Sequence, residues 1–225
     1  MYKNMYFILI TGLLFIASTT AIAVPVAGYS EDWDASGDLA GWTANTTLTN
    51  VEVVDAGGNP NGYLHSFGTV GSSFDVGAVF SGPELTGDYS GEIWQVSFDL
   101  NYLDGNFDDA WLRYRYKDAS YNGWLYDLTD AFKTNVWTNY VVTFDASWTD
   151  AEAMAMGWVQ QPTSASFADT MENAFTTEIR ISGEGFLRTG IDNFKLDKVD
   201  VPEPGTFALM FLGIAALGFS RRVKT

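Results

Sequence analysis

The chain has 225 residues, with 28 acidic against 12 basic side chains, a formal net charge of −16, one histidine and no cysteine. That charge repels phosphate backbones and argues against nucleic-acid binding. The missing cysteines exclude a disulfide framework, and the single histidine excludes multi-histidine zinc sites.

In chain order, Lys3 is followed by the apolar stretch 7–16 and by Ala21-Ile22-Ala23. Positive charge, apolar core and A-x-A cleavage site together predict a secretory signal peptide over residues 1–23, with export through the Sec machinery and a mature start at Val24. Residues 24–200 are then long enough to bury about 70% of the unfolded chain's surface in one domain. This part holds 27 acidic and 8 basic residues, a balance suited to a soluble extracellular protein that meets neutral sugars, cations or basic partners.

Period-2 alternation runs through that domain. Trp94, Val96, Phe98 and Leu100 alternate with Gln95, Ser97 and Asp99, and Leu112, Tyr114 and Tyr116 with Arg113, Arg115 and Lys117. Tyr140, Val142 and Phe144 form a third set, and Ile179 with Ile181 a fourth. Each is the signature of a strand with one buried face. Shorter candidates are 51–55, 63–67, 74–80 and 191–196. Turn residues separate them at 57–62, Gly82-Pro83, Asp104-Gly105-Asn106 and Asn122-Gly123. Short helices are expected at 150–156 and 166–174. The expected fold is all-β, an antiparallel jelly-roll sandwich with one or two short helices.

Catalytic chemistry finds little support. With so many acids, no spacing singles out a catalytic carboxylate pair. His65 lies in an alternating strand, where a neighbour satisfies it more readily than a substrate. No glycine-rich phosphate loop leads from a strand into a helix. The expectation is a non-catalytic protein. Stacking on a sugar requires exposed rings, and the loop holding Tyr121, Trp124 and Tyr126 offers rings interleaved with hydrogen-bonding residues. Core filling is the competing account of the same rings. Arg113, Arg115 and Lys117 form a basic stripe that either grips an acidic exopolysaccharide or pairs across strands with the surplus carboxylates.

The last 25 residues are distinctive. Val201-Pro202-Glu203-Pro204-Gly205 contains two prolines that disfavour helix and central strand, leaving an extended segment. The uncharged run 206–219 follows, then Arg221-Arg222-Val223-Lys224. The run is shorter than the roughly 20 residues of a stable span, which favours a processed tail over a permanent anchor. Extended motif, apolar helix and basic stop resemble the PEP-CTERM sorting signal of bacterial surface proteins. That resemblance implies recognition of Val201, Pro202, Glu203, Pro204, Arg221 and Arg222 by exosortase, and a hydrophobic transmembrane helix over residues 201–225. It also implies transient inner-membrane anchoring, and delivery to the surface or extracellular matrix of a Gram-negative cell.

A second resemblance lies in Val79-Phe80-Ser81-Gly82-Pro83-Glu84-Leu85-Thr86-Gly87-Asp88-Tyr89, the strand 96–100, Trp137-Thr138-Asn139-Tyr140, and Gly190-Ile191-Asp192-Asn193-Phe194. This series is similar to laminin domain IV (laminin B), without the cysteines of its animal modules. The likeness implies a jelly roll akin to carbohydrate-binding modules, with first and last strands side by side. It also implies a structural Ca2+ held by Glu31, Asn59 and Asp192. The combined expectation is an exported protein acting in adhesion or exopolysaccharide association. The alternatives are a dedicated carbohydrate-binding module and a glycan-active enzyme.

Overall fold

The computed structural model describes residues 23–34, 37–71, 75–117, 122–129 and 133–199. Five strands come first: β1 (Tyr29–Glu31), β2 (Trp42–Ala44), β3 (Thr49–Val54), β4 (Tyr63–Val70) and β5 (Val76–Phe80). The long β6 (Ile93–Tyr116) follows, then β7 (Gly123–Asp127) and β8 (Thr138–Asp145). Helix α1 (Asp150–Ala155), β9 (Trp158–Gln160), helix α2 (Phe167–Glu172) and the long β10 (Ala174–Lys198) complete the chain.

All strand pairs among these elements are antiparallel, and two long strands organise them. The first half of β10 pairs with β5 and with the second half of β6, giving a first layer in the order β2-β5-β10-β6-β7-β9. The second half of β10 pairs with β4, β1 and the first half of β6, while β3 and β8 flank that second layer. Thus β6 and β10 cross together from one layer to the other, and their register shifts repeatedly between Ile181 and Arg188. Asp104-Gly105-Asn106, expected as a turn, lies inside this crossing. Gly105 holds φ +131°, and a Cβ there would come within 2.5 Å of Leu187 Cδ2. A bulge replaces the turn because glycine lets the strand bend without ending it.

The two layers face each other across an aromatic core. Trp42 meets Phe194 edge-on at 4.9 Å between ring centres, Tyr114 meets Phe144 at 5.4 Å, and Phe144 meets Trp158 at 5.7 Å. Five of the eight tryptophans (Trp33, Trp42, Trp94, Trp124 and Trp158) are fully buried. Aromatic richness here is mainly core volume in a chain without disulfides.

Two expectations are corrected. The hydrogen-bonded path runs from an edge at β2 to an edge at β9 and does not close. The fold is therefore an open-edged antiparallel β-sandwich rather than a closed jelly roll, because the paired crossing of β6 and β10 joins the layers along one side. The second correction concerns the transmembrane helix and inner-membrane anchoring. Among the described residues no helix is long and apolar enough to cross a membrane, and both helices have six residues. The run 206–219 lies outside the described residues and is itself too short for a stable span.

Candidate functional site

Three regions gather chemically active side chains. The first is the turn between β3 and β4, which folds over the end of β10. Gly58 N–H donates to Asn61 O at 2.8 Å, and the Asn59 N–H donates to Asp192 Oδ2 at 2.5 Å. A Cβ on Gly58 would lie 1.9 Å from Gly62 O and 2.8 Å from Asp192 Oδ2, so only glycine permits this approach. Asp192 Oδ1 accepts the Asn193 N–H at 2.7 Å. Beside it, Asp99 Oδ2 accepts from the Asn59 and Asn193 side-chain amides at 3.0 and 2.8 Å, and Asp99 Oδ1 from Asn139 at 2.8 Å.

Asp192 is 1% exposed and Asp99 5%. Burial pushes the Asp192 carboxyl up to about 6, the two backbone N–H donors pull it down, and the charges of Asp99 and Asp34 raise it further. Among the described residues none of Asp34, Asp99 and Asp192 has an ion-pair partner. The structure thus brings Asn59 and Asp192 into direct contact. Glu31 sits opposite Phe194 on β1, and its carboxylate accepts the Trp33 N–H at 3.0 Å. The early acid whose charge reaches Asp192 is Asp34, which also holds the turn through Asn61 and Gly62. The donor chemistry, carboxylates and carbonyls at a surplus of negative charge, suits a hard cation. Among the described residues, however, no three His, Cys, Asp or Glu side chains are already arranged around one point.

The second region contains the ring candidates. Tyr121 lies outside the described residues, as do Val201, Pro202, Glu203, Pro204, Arg221 and Arg222. Trp124 is fully buried; its indole N–H donates to Ala165 O at 3.1 Å and its ring meets Phe167 edge-on. It is a core side chain under α2 and presents no face to a ligand. Tyr126 is half-buried, packs edge-on against Trp158, and lines a cleft of about 240 Å³. Opposite strand β7, the cleft is walled by Thr138, Asn139, Tyr140 and Val141 of β8, with Asp127 and Leu128 beside Tyr126. The cleft opens where β7 follows the first layer and β8 the second. Sequence reasoning missed Tyr140, Asp127, Thr138 and Asn139 as a group. Alternation placed Tyr140 on the buried face, and its ring does stack on Phe98 at 5.8 Å, so nothing in the spacing marked it as part of a cleft.

The third region is the basic stripe. Arg113 and Arg115 both pair across strands with Glu178 of β10, as one of the two sequence readings held. His65 is 5% exposed, stacked on Phe67, with Nδ1 3.0 Å from Glu52 Oε1. It is knitted into the sheet.

Residues 200–222 match the PEP-CTERM protein-sorting motif. No curated protein matches the chain in sequence. Among solved structures, the CBM22-1 xylan-binding domain from Paenibacillus barcinonensis aligns with 80% of this chain and 100% of its own length, at TM-score 0.50 and 12% identity. The family 11 carbohydrate-binding module of a cellulosomal cellulase of Clostridium thermocellum aligns over 80% and 99%, at TM-score 0.51 and 16% identity. An exo-beta-agarase aligns over 77% of this chain and 25% of its own, at TM-score 0.52 and 11% identity. These likenesses are of fold, and they correct the laminin domain IV expectation to a sandwich resembling carbohydrate-binding modules. The motif that suggested laminin does local packing work. Leu85 is fully buried, and Gly87, at φ +109°, exchanges backbone hydrogen bonds of 2.8 and 3.0 Å with Ala174.

Proposed function

We propose that this chain is an exported, non-catalytic carbohydrate-binding protein. Exosortase would sort it through the PEP-CTERM tail to the cell surface or matrix, where it associates with exopolysaccharide. The carrying observation is the cleft between β7 and β8. Two half-buried tyrosines line it, Tyr126 and Tyr140, the latter with its ring already stacked on Phe98 at 5.8 Å, as surfaces for sugar C–H groups; Asp127, Thr138 and the Asn139 side-chain oxygen, whose amide N–H is held by Asp99, supply hydrogen-bonding groups for hydroxyls. At about 240 Å³ the cleft is smaller than the ~300–1,000 Å³ typical of drug-sized ligands, so it suits one sugar ring of a longer polymer. The solved carbohydrate-binding modules of similar fold support the class of ligand. The non-catalytic reading is supported by the enclosure of Asp99 and Asp192 in amide donors and by the tie between His65 and Glu52.

The test is titration of the protein with neutral oligosaccharides, starting from xylan and β-glucan fragments. Saturable binding in the micromolar to millimolar range is expected. Tyr140→Ala should weaken it about tenfold or more with a cooperative melt retained. Absence of binding to every glycan tested, or full binding by Tyr140→Ala, would refute this assignment. A structural calcium ion is proposed alongside, with Asp192, Asn59 and Asp34 as its oxygen donors. When bound it would neutralise the buried acids and brace the 57–62 turn.

A further inference from the structure

The cleft between β7 and β8 has a one-sided chemistry. Among the described residues that line it, Asp127 alone is charged and none is basic. Asp127 Oδ1 accepts the Thr129 N–H at 2.8 Å, which fixes the carboxylate at the end of β7. Its other oxygen has no hydrogen bond, and the group has no ion pair, among the described residues. Lys133, in the loop between β7 and β8, is exposed, lies outside the lining and makes no ion pair among those residues.

Hydrogen-bonding capacity points the same way independently of charge. Asn139 turns its amide nitrogen to Asp99 Oδ1 at 2.8 Å, so its oxygen is what remains for a ligand. An ionised carboxylate accepts only, and the hydroxyls of Thr138 and the two tyrosines serve either way. The side chains of the cleft therefore offer acceptors in excess of donors, on a chain whose net charge is −16. A ligand that complements them brings donors and positive charge, and the field of the whole chain draws it in.

We infer that the cleft prefers a polymer of amino sugars with free, protonated amines. Asp127 receives the ammonium, Asn139 accepts a hydroxyl, and the ring lies against Tyr126 and Tyr140. An ammonium supplies three donors and no acceptor. Tyrosine faces attract cations as well as sugar C–H groups. An N-acetylated sugar replaces the ammonium by one uncharged amide donor, and a uronate carries the wrong sign. A lysine side chain brings the ammonium without a ring to lie on the tyrosines. The inference rests on glycan binding at this cleft and adds which glycan it is. An exposed carboxylate holds a cation only modestly in water, so the gain over a neutral sugar is about tenfold.

The experiment titrates the full chain with glucosamine oligosaccharides, their N-acetylated counterparts, xylo-oligosaccharides and oligolysine at two salt concentrations. The free-amine oligomer should bind about tenfold more tightly than its acetylated counterpart. That margin should shrink at high salt, and also when the pH is raised until the amine is neutral. Asp127→Asn keeps an oxygen for the Thr129 N–H and should erase the margin. Glu52→Gln removes an equal charge from β3, at the opposite edge of the second layer from β8, and should leave the margin intact. Equal binding of free-amine and acetylated oligomers would overturn this inference and leave glycan binding standing, whereas binding of no sugar at all would overturn both. A margin that survives Asp127→Asn, or that Glu52→Gln removes as fully, would assign the preference to overall charge and overturn the site. Oligolysine binding as tightly as the free-amine sugar would overturn it too.

Discussion

Asp192 is the residue on which local chemistry and stability meet most directly. Its carboxyl, ordinarily near 3.8, is pushed up to about 6 first by burial and then by Asp99 and Asp34. Between those values the folded state holds a proton that the unfolded chain has released. Its stabilising contribution is thus fully present below about pH 4 and lost as pH rises through 6. Asp192→Asn cannot titrate, so wild type should lose melting temperature relative to the variant as pH goes from 4 to 6.5. Parallel profiles would contradict this. A cation can replace the proton. Calcium at pH 7 should raise the wild-type melting temperature, reversibly with chelator, and leave Asp192→Asn unmoved; at 100 times Kd the gain is about 2.7 kcal/mol. The Asn59–Asp192 pairing was expected from family likeness, whereas the part played by Asp34 depended on where the 57–62 turn came to rest.

At the scale of elements, alternation and capping chemistry did most of the specifying. Helix α1 starts at a reciprocal cap, in which Thr149 Oγ1 accepts the Glu152 N–H at 3.3 Å and Glu152 Oε2 accepts the Thr149 N–H at 2.8 Å. The Thr149 N–H and hydroxyl, both donating to Glu152 Oε2 at 2.8 Å, hold that carboxyl below its usual range. Thr149→Ala should cost about 1 kcal/mol in urea unfolding, with Thr149→Ser recovering most of it; an unchanged midpoint would show that α1 is held by its packing alone. Both helices fall within the expected segments 150–156 and 166–174, the first read from its Ala, Met and Glu content and the second from the Ser166-x-x-Asp169 spacing. The strands around Trp94–Leu100 and Leu112–Tyr116 were legible, but their union into β6 was not. A Gly between Asp and Asn reads as a turn in isolation. Only the opposing backbone of β10, pressed against Gly105, turns it into a bulge.

For the whole molecule, sandwich and tail divide the work. The described domain ends its last strand at Lys198, and the sorting motif occupies residues 200–222. Intact-mass measurement of the protein recovered from its producing bacterium should find a mature start at Val24 and loss of the basic end from Arg221 onward. Recovery at the full 24.7 kDa would contradict processing at both ends.

The sequence alone determined what depends on near neighbours and on composition: strand-forming alternation, helix starts, the sorting motif at residues 200–222, and the lack of multi-histidine or thiol chemistry. These follow from spacing of two to four residues or from counts. Only the tertiary structure decided which rings are exposed. Trp124 and Tyr126 are two positions apart on one strand, yet α2 buries the first and the gap between β7 and β8 opens beside the second. It also brought Asp34 to Asn61 and Gly62, 27 and 28 residues away, and Arg113 to Glu178, 65 apart. Pairings at that range are set by how the two long strands cross between layers, a property of the assembled sheet that no local pattern encodes.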